Sequence, residues 1–226
     1  MNTERKYYTA YEDRYKTAHA HGVSWASDTC TPIVLEVLEK LGIQRDRKLL
    51  EIGCGEGRDA KEVLKSGYDL TATDISSEAV SFCKTKYPEF SDRFKVLDCL
   101  SERLDKQFDF IYSVAVIHML VLDKDRDGFY GFIRDHLKPD GCALICTMGD
   151  GVYEMQSDIT KAFELQEREH GSGKMVVAGT SCRMVSFETF MHELTRNGLE
   201  AIEKGITSSM PEFNSLMYAV VQRKNE

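Results

Sequence analysis

A doubly wound α/β fold is predicted for this chain, with a seven-stranded sheet that is mostly parallel and ends in an antiparallel hairpin. Three observations predict it. From residue 32 onward, short apolar runs alternate with amphipathic stretches, and parallel neighbours need such crossovers. The first apolar run ends in the glycines of Gly53-Cys54-Gly55-Glu56-Gly57. The last two runs follow each other with no helix between them, as expected of a hairpin at a sheet edge.

Pro32 to Leu41 reads as a helix, with Ile33, Val34, Val37, Leu38 and Leu41 on one stripe and Gly42 just beyond. Lys48 to Cys54 is a short buried strand running into the glycines. Arg58 to Lys65 resumes helical spacing through Ala60, Val63 and Leu64, and Gly67 stops it. Asp69 to Asp74 is the next strand. Ser76 to Tyr87 is a helix capped by Ser76 or Ser77, with Glu78 in its first turn and Pro88 closing it. Phe94 to Cys99 and Phe108 to Val116 give the third and fourth strands. Asp123 to Leu137 is a helix, Lys138-Pro139-Asp140-Gly141 a turn, and Cys142 to Met148 the fifth strand. Ser186 to Asn197 forms a helix capped by Ser186 and ended by Gly198. Leu199 to Thr207 and Leu216 to Arg223 are strands joined by a Pro-containing loop.

Two segments stand outside this plan. One is the N-terminal stretch 1–31; the other, 149–185, is too long for a plain connection, and both are candidate lids on a single domain spanning 1–226. In the second, the charged run Glu164 to His170 is expected to be a solvated helix face, with Gly171-Ser172-Gly173 as a hinge or turn.

The 226 residues are 42% apolar and carry a formal net charge of −8. A basic face that would neutralise phosphates is not favoured by that balance, so nucleic acid is disfavoured as a partner. The seven cysteines are odd in number and form no C-x-x-C pair, which fits a reduced, cytoplasmic setting. Metal binding is not expected, because zinc normally takes four ligands and no His/Cys cluster is present. No apolar run approaches the roughly 18 residues of a membrane span.

In open α/β sheets the ligand lies beyond the carboxyl ends of the strands, where strand order reverses. The dinucleotide fingerprint G-x-G-x-x-G starting at Gly53 would require glycine at position 58, which is Arg58; the glycine falls at Gly57. Asp74 ends the second strand, 21 positions past Gly53. An acid there can accept hydrogen bonds from ribose hydroxyls or serve the following helix as a cap, and the two roles are compatible.

Spacing G-x-G-x-G preceded by Glu51, with a strand before, a helix after and Asp74 beyond, resembles the first motif of class I methyltransferases that use S-adenosylmethionine (SAM). The resemblance runs from about residue 45 to the end and implies a Rossmann-like fold. It implies SAM as cofactor, S-adenosylhomocysteine as product, and a cofactor held by Glu51, Gly53, Cys54, Gly55, Gly57, Asp74 and Ile75. It also implies that Asp98 receives the adenine amine, with Cys99 and Leu100 packing on the ring; a plain strand-end turn is the other reading of Asp98. Ser113 and Val114 would line the methionine end. Lys138-Pro139-Asp140-Gly141 is similar to the family's Leu-Lys-Pro-Gly-Gly turn, with Asp140 replacing a glycine.

Methyl transfer from a sulfonium is an in-line displacement on an activated carbon, so the protein mainly orients the acceptor in a dry site. His118, just past the fourth strand, is the candidate general base, or else a packing histidine. The N-terminal stretch carries Tyr7, Tyr8, Tyr11, Tyr15 and Trp25. It reads either as an amphipathic helix packed on the domain or as a lid. In small-molecule enzymes resembling thiopurine and tellurite-resistance methyltransferases, an N-terminal Trp and nearby Tyr or Arg approach the methionine moiety. That resemblance adds Tyr11, Arg14 and Trp25 to the cofactor set. Tyr7, His118 and Arg183 are the acceptor-side candidates; Arg183 would bind an anionic acceptor or form a surface ion pair. The expected function is SAM-dependent methylation of a small molecule. An NAD-dependent oxidoreductase and a non-catalytic SAM-binding protein are the alternatives. Oligomeric state is not legible.

Overall fold

The computed structural model describes residues 5–207 and 215–224. A 3-10 turn at Tyr7–Thr9 leads into α1 (Ala10–Ala20), and α2 (Pro32–Lys40) precedes the first sheet strand. There follow β1 (Lys48–Ile52), α3 (Arg58–Lys65), β2 (Asp69–Asp74), α4 (Ser77–Lys86), β3 (Phe94–Val96) and β4 (Phe108–Val114). A 3-10 turn at Ile117–Met119 comes next, then α5 (Asp123–His136) and β5 (Leu137–Met148). The insertion holds β6 (Met155–Gln156), β7 (Leu165–His170), β8 (Gly173–Ala178) and β9 (Arg183–Met184). Beyond it come α6 (Phe187–Arg196), β10 (Leu199–Thr207) and β11 (Leu216–Arg223).

The main sheet has seven strands in the order β3-β2-β1-β4-β5-β11-β10. β1 to β5 run parallel, and β11 lies antiparallel to both β5 and β10. Strand alternation sends neighbouring residues to opposite faces, and each face is covered. Leu49, Tyr112 and Leu144 pack with Val37 of α2, Val63 of α3 and Val80 of α4. Leu50, Ile111 and Ile145 pack with Phe129 and Ile133 of α5 and Phe190 of α6. The sequence-predicted caps form: the Ser76 hydroxyl accepts from the Ala79 amide at 3.0 Å, and Ser186 accepts from Thr189 at 3.2 Å.

Four expectations change. The third strand stops at Val96 and the fourth at Val114, because the chain beyond each turns into the site. Lys138–Gly141 is the bulged start of β5, not a turn, and the ladder with β4 shifts register between Phe108 and Phe110. A bulge accommodates Pro139, which has no amide to donate. The expected charged helix at Glu164–His170 is strand β7, paired with β8 in a hairpin. Met175 and Val177 are buried while Lys174 and Val176 are exposed, a period of two that sets the hairpin's inner face. The Pro-containing loop before β11 lies outside the described residues.

One buried charge pair ties the second layer together. Arg126 of α5 donates through Nε and Nη2 to Glu193 of α6 at 2.8 and 2.6 Å, and the Tyr130 hydroxyl adds a third bond to Glu193. Arg126 Nη1 also donates to the carbonyls of Ile117 and Leu120. The same guanidinium therefore clamps α6 and the turn that carries His118. Removing one partner strands the other charge in the core. Glu193→Ala is expected to lower unfolding free energy by about 3–5 kcal/mol in urea titrations. The double variant Arg126→Met/Glu193→Leu, which leaves no buried charge, is expected to recover most of that loss.

Candidate functional site

A cavity of about 960 Å³ opens at the carboxyl ends of β1, β2 and β4. This is where strand order reverses, so the crossovers leave on opposite faces and a crevice remains between them.

The glycine loop forms its floor. Gly53 and Gly55 have φ of +77° and +52°, and a Cβ would lie 2.2 Å from Val116 Cγ2 at the first and 2.8 Å from the Tyr15 hydroxyl at the second. Only glycine fits both the backbone and the space. The Gly55 amide donates to Asp74 Oδ2 and the Ser76 amide to Oδ1, each at 2.8 Å. Burial raises the Asp74 carboxyl to about 6, against the pull of those two amides. Glu51 lies deeper. Burial, with the Asp59 charge adding, holds its carboxyl well above the usual range, and Oε2 has no hydrogen-bond partner.

Cys54, Ile75, Asp98, Cys99, Leu100 and Val114 also line the cavity. Asp98 accepts from Lys6 Nζ at 2.6 Å, from the Ser101 hydroxyl and from the Leu100 amide. Two of the sequence-predicted cofactor residues do not line it. Gly57 packs against Cys83, where a Cβ would sit 2.9 Å from the sulfur. Ser113 is wholly buried, because strand alternation turns it away from the side that Val114 presents. Next to Val114, Ala115 takes a φ of +57°, rare for a residue with a Cβ, and it lines the cavity.

The roof comes from both extra segments. Tyr8, Tyr11, Arg14, Tyr15 and Trp25 face the cavity from the N-terminal side. The Arg14 guanidinium lies 4.9 Å from the Tyr11 ring and 4.7 Å from the Trp25 ring, and its Nε and Nη2 donate to the Ala178 carbonyl of β8. His170 stacks on Trp25 at 5.6 Å between ring centroids, and its Nε2 lies 2.8 Å from the Ser24 carbonyl. Ala18, Met175 and Val177 form a small core between α1 and β8, with Val23 and Trp25 against it.

His118 lines the cavity from the 3-10 turn after β4. Burial, with the Arg126 charge adding, pushes its imidazole down to about 4, so the ring is neutral near pH 7. The other two acceptor-side candidates are elsewhere. The Tyr7 hydroxyl donates to Asp125 and accepts from the Val121 and Leu122 amides. Arg183 donates to the Val121 carbonyl and to Asp123. Neither lines the cavity. Both are drawn to the acidic first turn of α5, where they fix the segment following His118.

Sequence reasoning missed Met148 and the insertion's Arg168, Glu169, His170, Thr180, Ser181 and Cys182, all of which line the cavity. Packing of the hairpin on α1 places them, and only the length of the insertion hinted at it. Among the described residues no group of three or more His, Cys, Asp or Glu could hold a metal ion. None of their helices is long and apolar enough to cross a membrane.

Four buried acids, Glu51, Glu56, Asp59 and Asp74, and several aromatic faces surround this cavity. That lining suits an organic cation with sugar hydroxyls. With the sheet order, it is the arrangement of a class I methyltransferase fold. Residues 50–143 match the model of a methyltransferase-domain family. A ubiquinone biosynthesis O-methyltransferase of Rickettsia akari is 29% identical over 52% of this chain and 49% of its own length. A probable S-adenosyl-L-methionine-dependent methyltransferase TehB of Haemophilus influenzae is 25% identical over 60% and 43%. This chain thus spans about half the length of these curated relatives or less. A 1,6-didemethyltoxoflavin-N1-methyltransferase of Burkholderia thailandensis, solved with 1,6-didemethyltoxoflavin and S-adenosylhomocysteine, superposes with a TM-score of 0.71. It is 15% identical, over 100% of this chain and 94% of that one, and shows the fold.

Asp74 gives the unliganded protein a testable pH dependence. The folded protein keeps the Asp74 proton to about pH 6 and the unfolded chain only to its ordinary value of 3.8. Between those values the folded state binds more protons, so this group's contribution to stability falls as pH rises through the window. The total is about 3 kcal/mol. Urea titrations at pH 4.5 and 7 should show that Asp74→Asn gains stability over the parent at the higher pH and little at the lower.

Proposed function

We propose that this chain transfers the methyl group of SAM to a small-molecule acceptor and releases S-adenosylhomocysteine. The observation that carries the reading is one junction: Gly53, Gly55 and the Asp74 carboxylate meet at the strand-order reversal, beneath a roof of aromatic rings. The Gly53–Cys54–Gly55 backbone lets a ligand approach closely, and Asp74 is the acceptor for ribose hydroxyls. Asp98 takes the adenine amine, between Ile75 and the Cys99–Leu100 side. Glu51, Tyr11, Arg14 and Trp25 surround the amino-acid end, and Val114 forms the wall beside it. Bound SAM supplies an already activated methyl on a sulfonium, so the chain's own residues bind, orient and exclude water.

The two roof segments, within residues 5–31 and 149–185, belong to the same catalytic domain and leave room for a small acceptor, not a polymer. The net charge of −8 speaks against a nucleic-acid substrate. All seven cysteines are free thiols, which supports a reducing, cytoplasmic setting. Arg58 in place of the third dinucleotide glycine sets the loop apart from that of an NAD enzyme. Calorimetry separates these readings. SAM and S-adenosylhomocysteine are expected to bind and NAD to give no heat; the reverse overturns the proposal. Formation of S-adenosylhomocysteine with a member of an acceptor panel distinguishes an enzyme from a protein that only binds SAM.

His118 is the base for an acceptor that must lose a proton. Its imidazole titrates near 4, so it is ready to accept at any pH above about 5. His118→Ala is expected to lower kcat by about 10²–10⁴ while the KM for SAM stays the same. The parent's kcat should be flat from pH 6 to 8 as far as this group is concerned. Full turnover in the variant removes the role.

A further inference from the structure

The glycine loop carries a side chain that the reading above does not use. Glu56 lies between Gly55 and Gly57, is 6% exposed and projects into the roof. Its Oε1 lies 2.8 Å from His19 Nε2 and accepts from the Trp25 amide at 2.7 Å; its Oε2 accepts from the Ala26 amide at 2.7 Å. One carboxylate thus engages α1 and the loop following it, at the residue whose indole faces the cavity.

We propose that Glu56 is a positioning residue that makes cofactor binding and roof closure a single event. The proposal rests on the SAM reading for its ligand. The loop conformation that holds Gly53 and Gly55 against the cofactor also sets where the Glu56 carboxylate lies. The carboxylate sets the 25–26 backbone, and the Trp25 ring then meets His170 of the hairpin. The insertion is tied to the N-terminal segment through Arg14 to Ala178, His170 to Ser24 and the Ala18–Met175–Val177 core. Displacing the Trp25 backbone therefore displaces the wall formed by Arg168, Glu169 and His170 as well. Other contacts hold α1 to the sheet without reaching Trp25. Glu12 accepts from the Ser76 and Ser77 hydroxyls and the Glu78 amide, and Lys6 pairs with Asp98. His19 itself is also tied to α4 through Glu78 and Phe82, so loss of Glu56 is expected to loosen residues 24–26 while leaving α1 docked.

The carboxylate is matched to its task. Three donors converge on two acceptor oxygens, and a carboxamide at this position would turn an NH2 group toward one of them. Glu56→Gln keeps the size and removes that match.

Trp25 is the chain's single tryptophan, so its fluorescence reports on the roof alone. Three proteins are compared: the parent, Glu56→Gln, and His19→Ala, which leaves the loop unaltered and removes a roof partner together with its bond to Glu78 and its stack on Phe82 of α4. Far-UV circular dichroism and thermal melts establish that each is folded. Without ligand, Glu56→Gln is expected to shift Trp25 emission to the red and raise acrylamide quenching, with His19→Ala intermediate. Its Kd for S-adenosylhomocysteine is expected to rise at least about tenfold, the scale of lost hydrogen bonds to a charged group. Saturating S-adenosylhomocysteine is expected to bring its emission back toward that of the parent. Unchanged quenching and unchanged Kd in folded Glu56→Gln overturn the proposal. A red shift with unchanged Kd does so too, because roof and loop would then be independent. A parent that binds no S-adenosylhomocysteine overturns the SAM reading instead, and the ligand-free quenching still decides whether Glu56 sets the roof.

Discussion

The reversal of strand order between β1 and β4 is the constraint on which the rest depends. Parallel strands force each crossover to return through a helix. Because the chain winds one way from β1 to β3 and the other way from β4 onward, the helices leave on opposite faces. The ends of β1 and β4 are then left uncovered by either layer. The Gly53–Gly57 loop, Asp74, Ala115 and His118 stand at that gap because the fold delivers strand ends there, not because they are close in sequence.

A crevice at the carboxyl ends of β1 and β4 would be open to water without a cover. Two segments supply one, and neither does so alone. The N-terminal segment is docked on the domain through Glu12, Lys6, Tyr7 and Glu56. The hairpin β7–β8 packs against that segment through Ala18, Met175 and Val177. The outcome is an acidic cavity under aromatic rings, where burial penalises charge on Glu51 and Asp74 until a cation or hydroxyl donors arrive. Rigid support comes from below, where the Arg126–Glu193 pair fixes the turn that holds His118.

The frame was legible because each element carries its own local signal. Arg58–Lys65, Asp69–Asp74 and the two C-terminal strands fall where the spacing, Gly67 and Gly198 set them. The hairpin in the insertion is hidden in the sequence because Glu164–His170 is polar or charged at every position but Leu165; its strand character shows only in the alternation of its partner, Met175 and Val177. Tyr7, in the aromatic N-terminal stretch, and Arg183, a cation following Thr180-Ser181-Cys182, read as acceptor contacts in the sequence. Asp123 and Asp125, on the first turn of α5, claim them in space. Ser113 and Gly57 lie next to cavity residues in the chain and face the wrong side.

By itself the sequence determined the α/β sheet, its antiparallel end, the loop and the acids at the ends of successive strands. These follow from periodicity and from backbone demands that act within a few residues. Tertiary structure alone decided which side chains share the cavity: the insertion's Arg168 to His170 and Thr180 to Cys182, and the Glu56 carboxylate that reaches Trp25. Such contacts join residues 31 positions apart, as from Trp25 to Glu56, or 164 apart, as from Arg14 to Ala178. Packing of one segment on another creates them, and no local pattern encodes that.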